Sequence, residues 1–221
     1  IFVLLLSYSR FRVYRVSLSK THDILFSFLD DAFETFGGVP DEIVTDNMKT
    51  VMDEARTEYY AGKVNNKFQQ FADDYGFKVQ PCIAGHPHTK AKVEAPMKIL
   101  DEIRAYNGKL NYRELVELVT RINNRVNAQV NQGTGRIPLM YYNKEKAFLN
   151  SLPADNIRKP YQITTNTAKV NHSSMFNYKC CQYSVPPEYI DKIVSLQVYD
   201  GYIHVYCNTE FITINQLSSK K

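Results

Sequence analysis

The sequence predicts an α/β layer fold with a mixed sheet and flanking helices, followed by a small C-terminal antiparallel β-barrel or sandwich of about five strands. Three observations lead there. Apolar runs of strand length alternate with longer stretches whose apolar residues recur at helical spacing. A stretch bearing Gly133, Gly135, Pro138, Pro153 and Pro160 then interrupts the periodicity, and the last fifty residues alternate with period two around turn signals. With 221 residues, 44% of them hydrophobic, and 9 Gly and 9 Pro, the chain can hold one ordinary core plus a small appendage. The same composition excludes disorder and collagen-like repeats.

The elements follow in order. Ile1 to Leu6 is apolar throughout, as a buried strand is, while Phe11 and Val13 alternate with Arg12 and Tyr14, so Ile1 to Ser19 reads as a β-hairpin. Thr21 is an N-cap candidate for a helix carrying Ile24, Leu25, Phe28, Ala32 and Phe36, which Gly37-Gly38 stops. Glu42 to Asp46 is a short strand ending in a carboxylate. Phe68, Phe71, Ala72 and Tyr75 mark a second helix closed by Gly76, and Phe77 to Cys82 is the next strand. Val93, Met97, Leu100 and Ile103 lie on one helical face. Asn111 with Glu114 three residues later opens another helix, striped by Leu115, Leu118, Val119, Ile122 and Val126. These elements make residues 1–127 a core, 128–167 a linker with one short helix near Tyr141 to Leu149, and 168–217 the barrel. Within the barrel, Asp200-Gly201 between two alternating runs is the strongest hairpin signal.

Charge is unevenly placed. Residues 1–85 carry 9 basic and 12 acidic side chains, residues 86–170 carry 14 and 7, and residues 171–221 carry 4 of each. The excess of +7 in the middle third is where a polyanion such as nucleic acid would be met, the alternative being a solvated basic face. Four cysteines are too few for a disulfide scaffold and fit a reducing, cytoplasmic compartment. Cys82, His86 and His88 lack a second pair at zinc spacing and read as ordinary loop residues. No apolar run reaches the roughly 20 residues a membrane helix needs.

Asp46 at a strand end and Glu94 near a helix start, with 47 residues between them, are the kind of carboxylates that hold hard divalent cations for phosphodiester chemistry, because Mg²⁺ and Mn²⁺ take oxygen ligands. Read as words, Val39-Pro40-Asp41-Glu42-Ile43-Val44-Thr45-Asp46-Asn47 and His88-Thr89-Lys90-Ala91-Lys92-Val93-Glu94 resemble the second and third catalytic segments of DDE transposases and retroviral-type integrases. The surrounding Ala32 to Pro40 and Asp46 to Val51, with Asn123-Asn124-Arg125, Ile137-Pro138 and Tyr183 to Pro186, look most like the IstA-type transposases of bacterial insertion sequences.

The resemblance implies an RNase H-like core and an enzyme that hydrolyses donor DNA ends and joins their 3′ hydroxyls to target DNA. It implies two Mg²⁺ or Mn²⁺ ions held by three carboxylates, of which Asp46 is the second and Glu94 the third. It also implies a homo-oligomer, an AAA+ helper ATPase and a bacterial cytoplasmic, nucleoid-associated setting. The first carboxylate belongs on a strand preceding the opening hairpin. Residues 1–22 contain no Asp or Glu, so the 221-residue chain by itself is expected to be inactive, with that strand lying upstream of Ile1. Pro96 departs from the family pattern, and a helix there either begins near Ala95 or kinks. Lys90, Lys92 and Lys98 flank Glu94 as phosphate contacts or as helix-surface ion pairs, and Asn47 beside Asp46 either orders the site and contacts DNA or caps a turn. The alternative reading is a non-catalytic DNA-binding or assembly module on the same scaffold.

Overall fold

The computed structural model describes residues 1–83, 101–106 and 109–218. The chain forms two units, one comprising residues 1–107 and 116–162 and the other residues 108–115 and 163–221. No helix among the described residues is long and apolar enough to cross a membrane.

In the first unit, β1 (Phe2–Leu5) and β2 (Arg12–Arg15) form the expected antiparallel hairpin, with Leu5 opposite Arg12. Helix α1 (His22–Phe36) follows. Thr21 sits at its N-cap without a side-chain cap bond, and Gly37 ends it with φ +69°, a left-handed conformation that costs glycine little. The next strand, β3 (Glu42–Thr45), is followed by a hairpin of β4 (Met52–Glu54) and β5 (Lys63–Val64) that the pattern of apolar residues did not reveal. Helix α2 (Asn66–Tyr75), whose Asn65 side chain caps Lys67, then returns the chain to β6 (Lys78–Pro81), which pairs parallel with β3. A right-handed helical crossover is the usual way to join parallel strands. No strand ladder joins β1 to β3 among the described residues, so the expected mixed sheet is present as two separate pieces. They share one core: Leu6 and Val13 lie in the same buried cluster as Ile43, Phe33, Phe68, Phe71 and Phe77.

A four-residue helix α3 (Asp101–Arg104) precedes α4 (Tyr112–Ala128). The capping box is formed: Asn111 Oδ1 accepts from the Glu114 amide at 3.0 Å, and Glu114 Oε2 accepts from the Asn111 amide at 2.9 Å. Further along α4, Asn127 accepts from the Arg12 amide at 3.0 Å and donates to the Arg12 carbonyl at 2.8 Å, while Asn123 accepts from the Tyr14 amide at 3.0 Å. Spaced four residues apart on one helix face, the two side chains satisfy the outer edge of β2 as a strand would.

Residues 129–162 belong to the first unit. Helix α5 (Pro138–Glu145) places the Tyr142 hydroxyl 2.8 Å from the Phe36 carbonyl, and Asn150 forms a backbone bridge with Val39. Helix α6 (Asp155–Arg158) delivers Arg158 to a buried carboxylate, Asp30 of α1. Arg158 Nε donates to Asp30 Oδ1 at 2.6 Å and its Nη2 donates to Asp30 Oδ2 at 3.2 Å and to Glu34 at 2.8 Å. The Tyr75 hydroxyl and the Gln162 amide complete the cluster at 2.7 and 2.9 Å.

Beside this cluster, Tyr161 stands edge-on to Phe71 at 4.9 Å and donates its hydroxyl to Asp74. Burial, with help from that carboxylate, pushes the Tyr161 hydroxyl up to about 12 from its usual 10. A raised folded-state value contributes stability below pH 10 that is lost as the pH climbs from 10 through about 12. Tyr161→Phe should therefore flatten part of the stability loss across that window, read as the urea midpoint against pH.

The second unit carries β7 (Thr165–Lys169), β8 (Met175–Tyr178), β9 (Cys181–Ser184), β10 (Ile193–Tyr199), β11 (Tyr202–Cys207) and β12 (Glu210–Gln216). Asp200 and Gly201, at φ +53° and +76°, make the turn between β10 and β11 that the sequence signals. The closed barrel is not what forms. One open four-stranded sheet runs β12-β11-β10-β7, and β8-β9 is a separate hairpin. Alternation shows which side chains face inward but not whether the two end strands meet, and here β7 and β12 do not pair. Val194, Leu196, Ile203 and Val205 pack against Val170, Phe176, Tyr183 and Val185 to bury one sheet face beneath the hairpin. Tyr183 and Tyr206 are core residues, whereas Tyr202 is exposed and Tyr199 stacks on His204 at 3.9 Å.

Candidate metal centre

The site is built at the carboxyl ends of β3 and β6, which lie side by side with Thr45 opposite Pro81. Asp46 follows β3 directly and is exposed, so its carboxylate leaves the sheet at an edge that water and ligands reach. Its Oδ1 accepts from the Asn47 amide at 2.7 Å, which orients the carboxylate relative to the strand end. A hard, exposed oxygen donor of this kind suits a divalent cation.

Asn47 ties the neighbouring segments together. Its side-chain amide donates to the Cys82 carbonyl at 3.0 Å, one residue past β6, and its Oδ1 accepts from the Arg56 amide at 3.3 Å. Arg56 in turn donates from its guanidinium to the Pro81 carbonyl at 3.1 Å, and the Cys82 amide donates to the Thr45 carbonyl at 2.9 Å. Three chain segments, 45–47, 81–82 and 56, are thereby fixed within hydrogen-bond reach of one another. Asn47, for which site ordering, DNA contact and turn capping were open from sequence, thus joins the ends of β3 and β6 beside Asp46.

Arg56 and its hairpin were not anticipated. Residues 52–64 mix three acidic and two basic side chains with no period-two apolar pattern, and Gly62 is the one usable signal. It adopts φ +76°, and a Cβ there would meet the Arg56 amide nitrogen, the Glu54 carbonyl oxygen and Met52 Cε, each at 2.8 Å. Gly62→Ala should cost about 1–3 kcal/mol, from the left-handed backbone and the backbone contacts together. Amide exchange at Arg56, the donor to Asn47, should accelerate relative to the core helices.

Glu94, Lys90, Lys92, Lys98, Pro96, His86 and His88 lie outside the described residues. β6 leaves the sheet at the same end as β3, and Glu94 follows Cys82 by 12 residues in sequence. Among the described residues no three His, Cys, Asp or Glu side chains gather into a metal cluster. Cys82 is buried and reduced.

Comparisons with known proteins bear on the family. Residues 1–87 match the integrase core domain, and residues 156–221 match the Mu transposase C-terminal domain. The transposase for insertion sequence element IS232 of Bacillus thuringiensis subsp. berliner is 56% identical over 219 residues, which is 99% of this chain and 51% of that protein. The transposase for insertion sequences IS1326/IS1353 of Pseudomonas aeruginosa is 27% identical over 202 residues, 88% of this chain and 38% of that protein. The transposase for insertion sequence element IS21 of Pseudomonas aeruginosa is 25% identical over 199 residues, 85% and 48% respectively. The chain spans about half the length, or less, of these relatives. On the two matched domains and the 56% identity over 99% of its length, the chain belongs to the integrase-core transposases of insertion sequences.

Proposed function

We propose that the protein carrying this chain is a DDE-type polynucleotidyl transferase that cleaves transposon ends and joins them to target DNA. Residues 1–127 form its RNase H-like catalytic core, with 128–167 as linker and 168–217 as the terminal module. The observation that carries this reading is Asp46, exposed at the end of β3 and braced through Asn47 to the end of β6.

Asp46 and Glu94 are the ligands this chain contributes to Mg²⁺ or Mn²⁺. When bound, such ions polarise the scissile phosphate and stabilise the attacking and leaving oxygens. The chain's own residues orient and bind: Asn47 fixes the backbone that presents Asp46, while Lys90, Lys92 and Lys98 neutralise DNA phosphates beside Glu94. The +7 balance of residues 86–170 supports a DNA backbone passing there. Residues 1–22 hold no Asp or Glu that could serve as the first carboxylate of the set. DNA ends and target DNA are the substrates. A homo-oligomer brings two ends together, an AAA+ ATPase of the kind that serves this family assists, and the reaction takes place in the bacterial cytoplasm at the nucleoid.

Joining assays with Asp46→Asn and Glu94→Gln in the full-length protein test this. Both should lose joining while keeping affinity for transposon-end DNA. Activity retained in both variants would leave the non-catalytic assembly module as the better reading.

A further inference from the structure

The β4–β5 hairpin presents an aromatic side chain beside the candidate metal centre that no part of the reading above uses. Tyr59 at its tip is 96% exposed, and Tyr60 next to it is about half exposed. Scattered exposed aromatics are ordinary on protein surfaces, so exposure by itself carries little. Here the mounting adds to it. The tip is closed by the Thr57 amide donating to the Tyr60 carbonyl at 2.9 Å, and the Tyr60 hydroxyl donates to Glu54 at 2.6 Å. Below the tip, Gly62 lets the two arms approach within van der Waals limits that a methyl group would break. Arg56 fastens the base to Asn47 and to the Pro81 carbonyl. Tyr59 is therefore the exposed end of a braced finger rooted on the residue adjacent to Asp46.

Reach sets what the finger can touch. Tyr59 is three positions on from Arg56, and an extended chain covers at most about 3.3–3.6 Å per residue, so its backbone lies within about 11 Å of the Arg56 contact with Asn47. DNA rises about 3.4 Å per base step, so that backbone span corresponds to about three steps.

We propose that Tyr59 stacks on an unpaired or frayed base within three positions of the scissile phosphate and so positions the DNA end for reaction. The finger's charge favours a base rather than a phosphate as the contact: Asp53, Glu54 and Glu58 outnumber Arg56 and Lys63, leaving the ring as the distinctive feature of its tip. Every base offers a π-face, so such a contact is tolerant of sequence. The inference rests on Asp46 marking the reacting centre. Tyr59 is accordingly a positioning residue.

The test uses the full-length protein, the element's own terminal DNA, and a series of end duplexes with one abasic site at each of the first three positions either side of the cleaved bond. Tyr59→Ala should slow joining by about 5- to 150-fold, the range expected for one lost base–aromatic stack. Tyr59→Phe and Tyr59→Trp should restore most of the rate. The Tyr59→Ala defect should shrink on the one duplex that already lacks the contacted base. Thermal unfolding should not move, because the Tyr59 side chain is 96% exposed among the described residues.

A wild-type rate in Tyr59→Ala overturns the proposal, as does a defect unrelieved by any abasic position. So does a defect seen only when a helper ATPase is added, which would make the finger a protein contact. Asp46→Asn run in parallel separates the two readings: if that variant still joins DNA, the assignment of the centre falls, whereas an inactive Asp46→Asn beside a normal Tyr59→Ala removes only the role of the finger.

Discussion

Arg158→Ala should lower the stability of the first unit by about 3–5 kcal/mol, the cost usually found when one partner of a buried ion pair is removed. Asp30 and Arg158 are 2% and 8% exposed, and the guanidinium spans both Asp30 oxygens while also reaching Glu34. Without it the Asp30 carboxylate keeps the Tyr75 hydroxyl and the Gln162 amide but loses its counter-charge. For a unit of this size each kcal/mol corresponds to about 2–4 °C, so the melting temperature should fall by about 6–20 °C. Hydrogen exchange should show the loss concentrated in α1, α6 and the segment between Asn150 and Gln162. A double variant, Asp30→Asn with Arg158→Ala, should cost less than the sum of the two single changes, because neutralising Asp30 removes the stranded charge. Additive losses would mean the pair contributes packing but no mutual attraction.

Asp46→Asn should reduce DNA joining by about 10³-fold or more in the full-length protein. An amide keeps the shape of the carboxylate, and its oxygen can still accept from the Asn47 amide, so the bracing through Asn47 stays in place. What disappears is one negative charge and an anionic oxygen at an exposed strand end. A cation worth several kcal/mol of transition-state stabilisation is then poorly held, and each 1.4 kcal/mol is a factor of ten. The thermal midpoint should barely change, since Asp46 is exposed. Affinity for terminal DNA should be unchanged or slightly higher, because the substitution removes a repulsive charge. Calorimetric titration with Mn²⁺ gives a readout independent of turnover, and weaker binding by the variant is the expected result.

How much of this was legible in the sequence depended on how local each signal was. The Asn111–Glu114 capping box, the Gly37 stop and the Asp200–Gly201 turn are decided by residues a few positions apart, and each formed as read. Asp46 was legible for a similar reason: a carboxylate following an apolar run is placed by the strand itself. Asp30 was not, because it sits among the apolar residues of α1 while Arg158 lies 128 residues away, and no periodicity links them. Arg56 was hidden because the hairpin that carries it is held by its turn, by Gly62 and by hydrogen bonds rather than by an alternating apolar face. Barrel closure fails for a related reason. The apolar face of β10 and β11 was read from alternation, but Ser195, Gln197 and Tyr206 on the other face are buried as well, and the pairing of end strands is a property of the assembled sheet.

The asparagine pair on α4 has a consequence for how the molecule behaves in a crowd. Because Asn123 and Asn127 already occupy the Tyr14 amide and both polar groups of Arg12, a strand arriving from another molecule finds no vacant rungs on that side of β2. Replacing either side chain would reopen a template for fibril-like addition on a flank the native protein keeps closed. Two amides spaced one helical turn apart thus serve as insurance against polymerisation, a task that most sheets leave to charge or proline.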